Sequence, residues 1–132
     1  MLTDKYDPGE VHWQIHDTGR LLLGHRESEE TRMNNWSDTF FSLEKVGKWL
    51  HLATVIDTVN GTVQHYVDGE LITDNPLKTK GPLRFGSATI GNWSRPVEKS
   101  LNRVRNLNGA LAELVVLNGA LSEDQIRILA LR

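Results

Sequence analysis

The chain alternates apolar and polar residues with a period of two along most of its length, the pattern of strands buried on one face. From Glu10 to His16, Val11, Trp13 and Ile15 fall on one side and His12, Gln14 and His16 on the other. Asp17-Thr18-Gly19 predicts a tight turn into a second strand over 20–26, and so a first hairpin. The polar stretch from Glu27 to Asp38 predicts a long loop, followed by a short strand from Thr39 to Leu43 and a turn at Gly47. Between Trp49 and Thr73 the alternation is clearest, with Leu50, Leu52, Thr54 and Ile56 set against Trp49, His51, Ala53 and Val55. Asn60-Gly61 predicts a two-residue type I′ turn, which sets His51 opposite Glu70. Strands then return over 63–67 and 70–72 around a bend at Asp68-Gly69, and two short ones follow over 83–85 and 88–92. A second long polar loop runs from Trp93 to Asn106, and the apolar run from Leu107 to Leu117 reads as a central strand.

Only the last residues carry a helical signature. Ser122-Glu123-Asp124-Gln125 is a capping box, with Ser122 as N-cap and Gln125 at the third helical position. Glu123 and Asp124 sit where the helix dipole favours negative charge, and Ile126, Leu129 and Ala130 form a stripe to dock on a sheet. About eight short strands, Gly-rich turns and one helix over 122–130 predict an all-β fold: an antiparallel β-sandwich in a single domain spanning residues 1–132.

Composition removes several classes of function. The 132 residues hold 15 Lys plus Arg and 17 Asp plus Glu, for a net charge of −2, which leaves no electrostatic footprint for nucleic acid. No apolar run approaches the roughly 20 residues of a membrane helix, so no membrane insertion is expected of this segment. Without cysteine there is no disulfide framework, zinc–thiolate site or cysteine nucleophile. Met1-Leu2-Thr3-Asp4-Lys5 lacks the basic-then-apolar order of a signal peptide, so an export signal is expected outside this segment.

Catalytic chemistry finds little support. No Ser-His-acid arrangement has supporting turn chemistry and the Gly-x-Ser-x-Gly elbow is absent, so no catalytic residue, no cofactor and no enzymatic activity are expected. Glu27, Glu29 and Glu30 lie in a polar stretch and read as solvated charge. His12 and His16 share a strand face but lie about 13 Å apart, too far for one metal ion. The tryptophans are more informative. Trp13 and Trp49 fall in strand alternation and read as core, whereas Trp36 and Trp93 lie in or beside the two long loops. An indole can stack on the apolar face of a sugar while neighbouring amides and guanidinium groups take its hydroxyls. The loop over 93–106 ranks first as a recognition surface: Trp93 stands at its entry and Asn92 at its rim, with Arg95, Lys99, Arg103 and Arg105 against Glu98 alone. Such a set suits acidic or hydroxyl-rich glycans. The Trp36 loop ranks second.

Three segments carry a family resemblance. Trp49-Leu-His-Leu-Ala-Thr-Val-Ile-Asp57, Val63-Gln-His-Tyr-Val-Asp-Gly-Glu-Leu71, and Leu107-Asn-Gly-Ala-Leu-Ala-Glu-Leu-Val115 followed by Ala120-Leu-Ser-Glu123 resemble, in this order, the laminin-G-like, concanavalin-A-like jelly-roll superfamily. Pro8-Gly-Glu-Val-His-Trp-Gln14 with Ile90-Gly-Asn-Trp93 is similar to a subgroup found in planctomycete surface proteins beside FecR-type sensor domains. The resemblance implies a jelly roll whose opening strands are missing from this stretch, leaving an uncovered sheet edge through which the chain would self-associate. It also implies a calcium-binding Asp in the closing strand, where this chain has Ala112 beside a retained Glu113, so calcium is not expected there. The glycosidases of the superfamily carry a Glu-x-Asp-x-x-Glu strand that this sequence lacks. The function implied is a non-catalytic recognition module of an exported or cell-surface bacterial protein, extracytoplasmic, binding glycan or a surface protein. A structural spacer and a degenerate glycoside hydrolase are the alternatives.

Overall fold

The computed structural model describes residues 2–3, 6–77, 82–91 and 107–132. Strand β1 (Leu2–Thr3) precedes a first hairpin of β2 (Val11–Ile15) and β3 (Arg20–Arg26), closed as the sequence predicts at Asp17-Thr18-Gly19. Gly19 has a φ of +73°, and a Cβ there would lie 2.4 Å from the Phe41 carbonyl oxygen. Its own carbonyl accepts the N–H groups of both Phe40 and Phe41, at 3.0 and 3.1 Å. This one residue therefore makes the turn and seats the chain that leaves the next strand.

That strand, β4 (Arg32–Thr39), occupies most of the predicted loop, and the strand expected over 39–43 is replaced by a 3₁₀ turn at Leu43–Lys45. The reason is polar burial. Asn35 and Ser37 point inward, so beyond the half-buried Met33 the strand's inner face carries no apolar signal. Ser37 Oγ accepts the Leu21 N–H at 2.8 Å, where the β3–β4 register shifts between Arg20 and Leu22. Asn35 Nδ2 donates to Leu23 O at 3.5 Å.

The second sheet is β5 (Leu52–Asp57), β6 (Thr62–Val67) and β7 (Glu70–Pro76), in that order. Asp57 pairs with Thr62, so their connection has four residues, and within it only Gly61 takes a positive φ. The Asp57 carboxylate accepts the Val59 and Asn60 N–H groups and the Asn60 side-chain amide, which holds it below the usual carboxylate range. The two-residue turn with both φ positive lies instead at Asp68-Gly69 (+51° and +86°), between the paired Val67 and Glu70. The register consequently differs by two residues from the expected one. His51 meets Asp68, whose Oδ1 accepts the His51 N–H at 2.8 Å, and not Glu70. Trp49 precedes the strand and is 70% exposed, outside the core the alternation assigned it to.

Strand β8 (Ala88–Thr89) pairs with β1, and the expected strand over 83–85 is reduced to a single parallel bridge between Arg84 and Glu10. Residues 107–117 form no strand, and Leu111, Val115 and Leu117 are each about half exposed. The apolar run therefore does not act as a central strand.

The two three-stranded sheets face each other. Val11 and Leu23 pack on Val63, Leu21 and Phe40 on Val67, and the indole of Trp13 lies across both groups. Between the sheets runs a polar chain. Trp13 Nε1 donates to Thr54 Oγ1 (2.7 Å), Thr54 Oγ1 to His65 Nδ1 (2.9 Å), and His65 Nε2 to the Asn35 carbonyl (3.2 Å). A carbonyl can only accept, so Nε2 carries a proton; burial keeps the ring neutral, so Nδ1 is the acceptor and every group in this chain is paired. At the rim, Asp38 N–H donates to Thr73 Oγ1 (2.7 Å) and Asn75 Nδ2 to Trp36 O (2.9 Å), which joins β4 to β7 through side chains.

Helix α1 (Glu123–Ala130) opens with the expected capping box: Ser122 Oγ accepts from Gln125 N–H and Gln125 Oε1 from Ser122 N–H. Its buried Ile126 packs on Val55 and Tyr66, which covers the outer face of the second sheet. The helix also rests on the Asp68-Gly69 turn, where a Cβ on Gly69 would approach Ala130 Cβ and Arg127 Cα to 3.2 Å.

Two outcomes follow for stability. Burial pushes the His65 imidazole down to a pKa of about 4, from 6.5, and also lowers that of the buried His25, although the Glu27 charge opposes this. The unfolded chain therefore takes up protons first, and stability present above pH 6.5 is lost as pH falls toward 4. For His65 alone the loss is about 3 kcal/mol, read from urea unfolding as a function of pH. The slope should shrink in His65→Gln and persist in part through His25. Gly19→Ala should lose roughly 1–3 kcal/mol by the same assay, from the strained φ and the clash with Phe41.

Candidate functional site

Because β2, β3 and β4 bury Val11, Trp13, Leu21, Leu23, Asn35 and Ser37 inward, the intervening residues share the outer face of that sheet. The register sets Gln14, Leu22 and Trp36 in one row and His12, Gly24 and Asn34 in the next. Trp36 thus stands on a strand and not in a loop. Its half-buried ring has the Arg20 guanidinium 5.2 Å from its centroid, and the His16 imidazole meets it edge-on at 4.9 Å. Arg20 is anchored in turn by donating from Nε to Ser37 O at 2.5 Å. His16 Nδ1 lies 2.6 Å from Asp17 Oδ1, and an exposed Asp38 and Asn34 flank the indole along β4.

At the other end of the same face, Tyr6 lies on His12 with ring centroids 3.8 Å apart, and Arg32 is 5.7 Å over the Tyr6 ring. Arg26 Nη1 donates to Tyr6 O at 2.8 Å, and Arg26 also pairs with Glu29. Tyr6 holds a φ of +57°, unusual for a side-chain-bearing residue, while its ring contacts His12 and Arg32. Gly24 makes room for it: a Cβ there would lie 3.1 Å from the Tyr6 hydroxyl. Burial raises the Tyr6 phenol pKa, while the charges of Arg32 and Arg26 oppose the rise. The face as a whole offers fixed aromatic surface, guanidinium donors and amide or carboxylate acceptors. Such a set can recognise a polyhydroxylated or acidic ligand without any reactive group.

Of the residues singled out from the sequence, Trp36 lies on this face. Asn92, Trp93, Arg95, Arg103 and Arg105, with the rest of the loop over 92–106, lie outside the described residues. Sequence reasoning passed over His16 and Arg20 as partners of Trp36, and Tyr6 as a member of the same face. The outward set His12, Gln14 and His16 was visible in the alternation, but which strand would lie beside it was not. Among the described residues no group of three His, Asp or Glu side chains is placed to hold a metal ion. Ala112 and Glu113 belong to the exposed segment after residue 107.

Facing antiparallel sheets with one short helix on an outer face define a β-sandwich domain. Residues 5–127 match the laminin-G-type model of the concanavalin A-like lectin/glucanases superfamily, and the chain belongs to that superfamily. A search of the curated proteins gave no match. Among solved structures, the chain is similar to residues 221–444 of an S-layer domain-containing protein from Clostridium thermocellum, at 19% identity and a TM-score of 0.54. The alignment covers 97% of this chain and 59% of that one, so this chain spans little more than half the length of that structure.

The Arg20–Trp36 contact gives a direct check. Arg20→Met keeps the aliphatic stem but removes both the cation and the hydrogen bond to Ser37 O. It should lower stability by about 1–2 kcal/mol. In a background where Trp49 and Trp93 are Phe, leaving Trp36 and the interior Trp13, it should also raise the share of emission quenched by acrylamide by freeing the Trp36 ring; an unaltered share would mean that Arg20 does not hold the indole.

Proposed function

We propose that this domain is a non-catalytic recognition module of an exported or cell-surface bacterial protein, and that it binds glycan through the outer face of β2–β3–β4. The observation that carries the reading is Trp36, an indole set on a rigid strand and flanked by Arg20, His16, Asn34 and Asp38. Strand-borne side chains hold their geometry better than loop-borne ones, so little ordering entropy opposes ligand capture. Membership of a superfamily named for lectins, and the likeness to an S-layer domain-containing protein, support an extracytoplasmic, surface-associated setting. A FecR-linked context belongs to the same reading. The loop over 92–106, with Trp93 and its arginines, is the other candidate surface for the same ligand class.

A second reading, an interaction or spacer domain without a small ligand, is favoured by the exposed apolar side chains of Leu111, Val115 and Leu117. A contiguous apolar stretch of this kind is suited to a protein partner or a second copy.

Glycan-array screening followed by titration calorimetry separates the two. Under the first reading Trp36→Ala should weaken the best array ligand at least tenfold while the variant keeps its near-UV circular dichroism. Rising salt should weaken an acidic ligand further. Undiminished affinity in Trp36→Ala, with a loss in Trp93→Ala, would move the site to the 92–106 loop. No array ligand at all would leave the spacer reading.

A further inference from the structure

Three Asn-Gly pairs occur in the chain, at 60–61, 108–109 and 118–119, and all three asparagines are exposed. We infer that Asn108 and Asn118 are sites of spontaneous deamidation, whereas Asn60, of the same dipeptide, is protected by its hydrogen bonds to Asp57.

The chemistry needs nothing beyond water. The backbone nitrogen of the following residue attacks the asparagine side-chain carbonyl carbon. A C–N bond forms, the bond to the side-chain nitrogen breaks, and ammonia leaves, which closes a five-membered succinimide. Water then opens either imide carbonyl and yields aspartate or isoaspartate; no electron changes hands. A following glycine is the most permissive residue for this attack, because no Cβ hinders its nitrogen or the backbone angles the ring requires. Folding decides the rest, since the side chain must swing onto the next backbone nitrogen.

The three sites differ in that respect. Asn60 Nδ2 donates to Asp57 Oδ2 at 2.7 Å and its backbone N–H to Asp57 Oδ1 at 2.8 Å. The amide that must leave is thus tied to a carboxylate inside a hairpin connection whose flanking residues, Asp57 and Thr62, are ladder partners. Among the described residues no side-chain hydrogen bond engages Asn108 or Asn118, and both lie in bends outside any strand or helix. These two also share an identical setting, Leu-Asn-Gly-Ala, at 107–110 and 117–120, so their intrinsic reactivity is matched. They bracket the exposed apolar segment between them. Conversion there adds a negative charge at either end, and isoaspartate adds a backbone methylene.

The test is peptide mapping by mass spectrometry of the full chain aged in mildly alkaline buffer, with isoaspartate counted by enzymatic methylation. The expected result is conversion of Asn108 and Asn118 at rates within about twofold of one another, and of Asn60 at least fivefold more slowly. In concentrated urea the three rates should converge, and Asp57→Ala should raise the Asn60 rate without changing the other two. If Asp57→Ala unfolds the chain, the urea comparison of the wild-type protein still decides. Asn60 converting as fast as the others in the native chain would overturn the inference, and so would an unchanged ranking in urea, which would place the control in local sequence and not in the fold.

Discussion

Two three-stranded sheets that share no backbone ladder are fixed face to face here by a chain of paired polar groups running between them. The chain from the Trp13 indole through Thr54 and His65 to the Asn35 carbonyl touches β2, β5, β6 and β4 in turn. Burial keeps the His65 ring neutral, and the Asn35 carbonyl fixes its one proton on Nε2. An apolar core alone would allow the sheets to slide, because dispersion has no direction; hydrogen bonds fix the offset between them. The two apolar groups on either side, around Val63 and around Val67, then fill the space that this offset leaves.

The outer faces complete the division of labour. On the second sheet, Val55 and Tyr66 are apolar and take the helix. On the first, around Leu22 and Gly24, polar and aromatic residues satisfy one another laterally: Arg20 with Trp36, His16 with Trp36 and Asp17, Tyr6 with His12 and Arg32. Lateral contacts of this type stiffen a surface without burying it. That is the property a recognition face requires, and it is why the functional reading centres there.

Much of the fold was legible in the sequence, and the failures have physical causes. Alternation located β2, β3, β5 and β6 because one face of each is apolar. It missed β4 because Asn35 and Ser37 are buried through hydrogen bonds, an accounting that hydropathy does not register. Asn60-Gly61 and Asp68-Gly69 are both turn dipeptides. The choice between them rested on Asp57, whose carboxylate collects three donors and widens the first connection to four residues. Trp49 is outside the core because the alternation continues ahead of Leu52, where pairing begins. The run from Leu107 to Leu117 has the composition of a strand, yet composition supplies no neighbour to pair with. Of the site, Trp36 could be picked out as an aromatic in a polar stretch. Its companions on β2 and β3 required the register.

The contact between α1 and Gly69 couples two events that are separate in the sequence. An isolated helix of eight residues is unstable in water, so α1 exists only where a surface receives it. Part of that surface is a turn whose left-handed backbone has to be in place before Ala130 and Arg127 can close on it. The helix therefore depends on the β6–β7 turn, and its presence reports on a backbone conformation more than fifty residues upstream. The helix thus acts as a latch across that turn, and loosening either one releases the other.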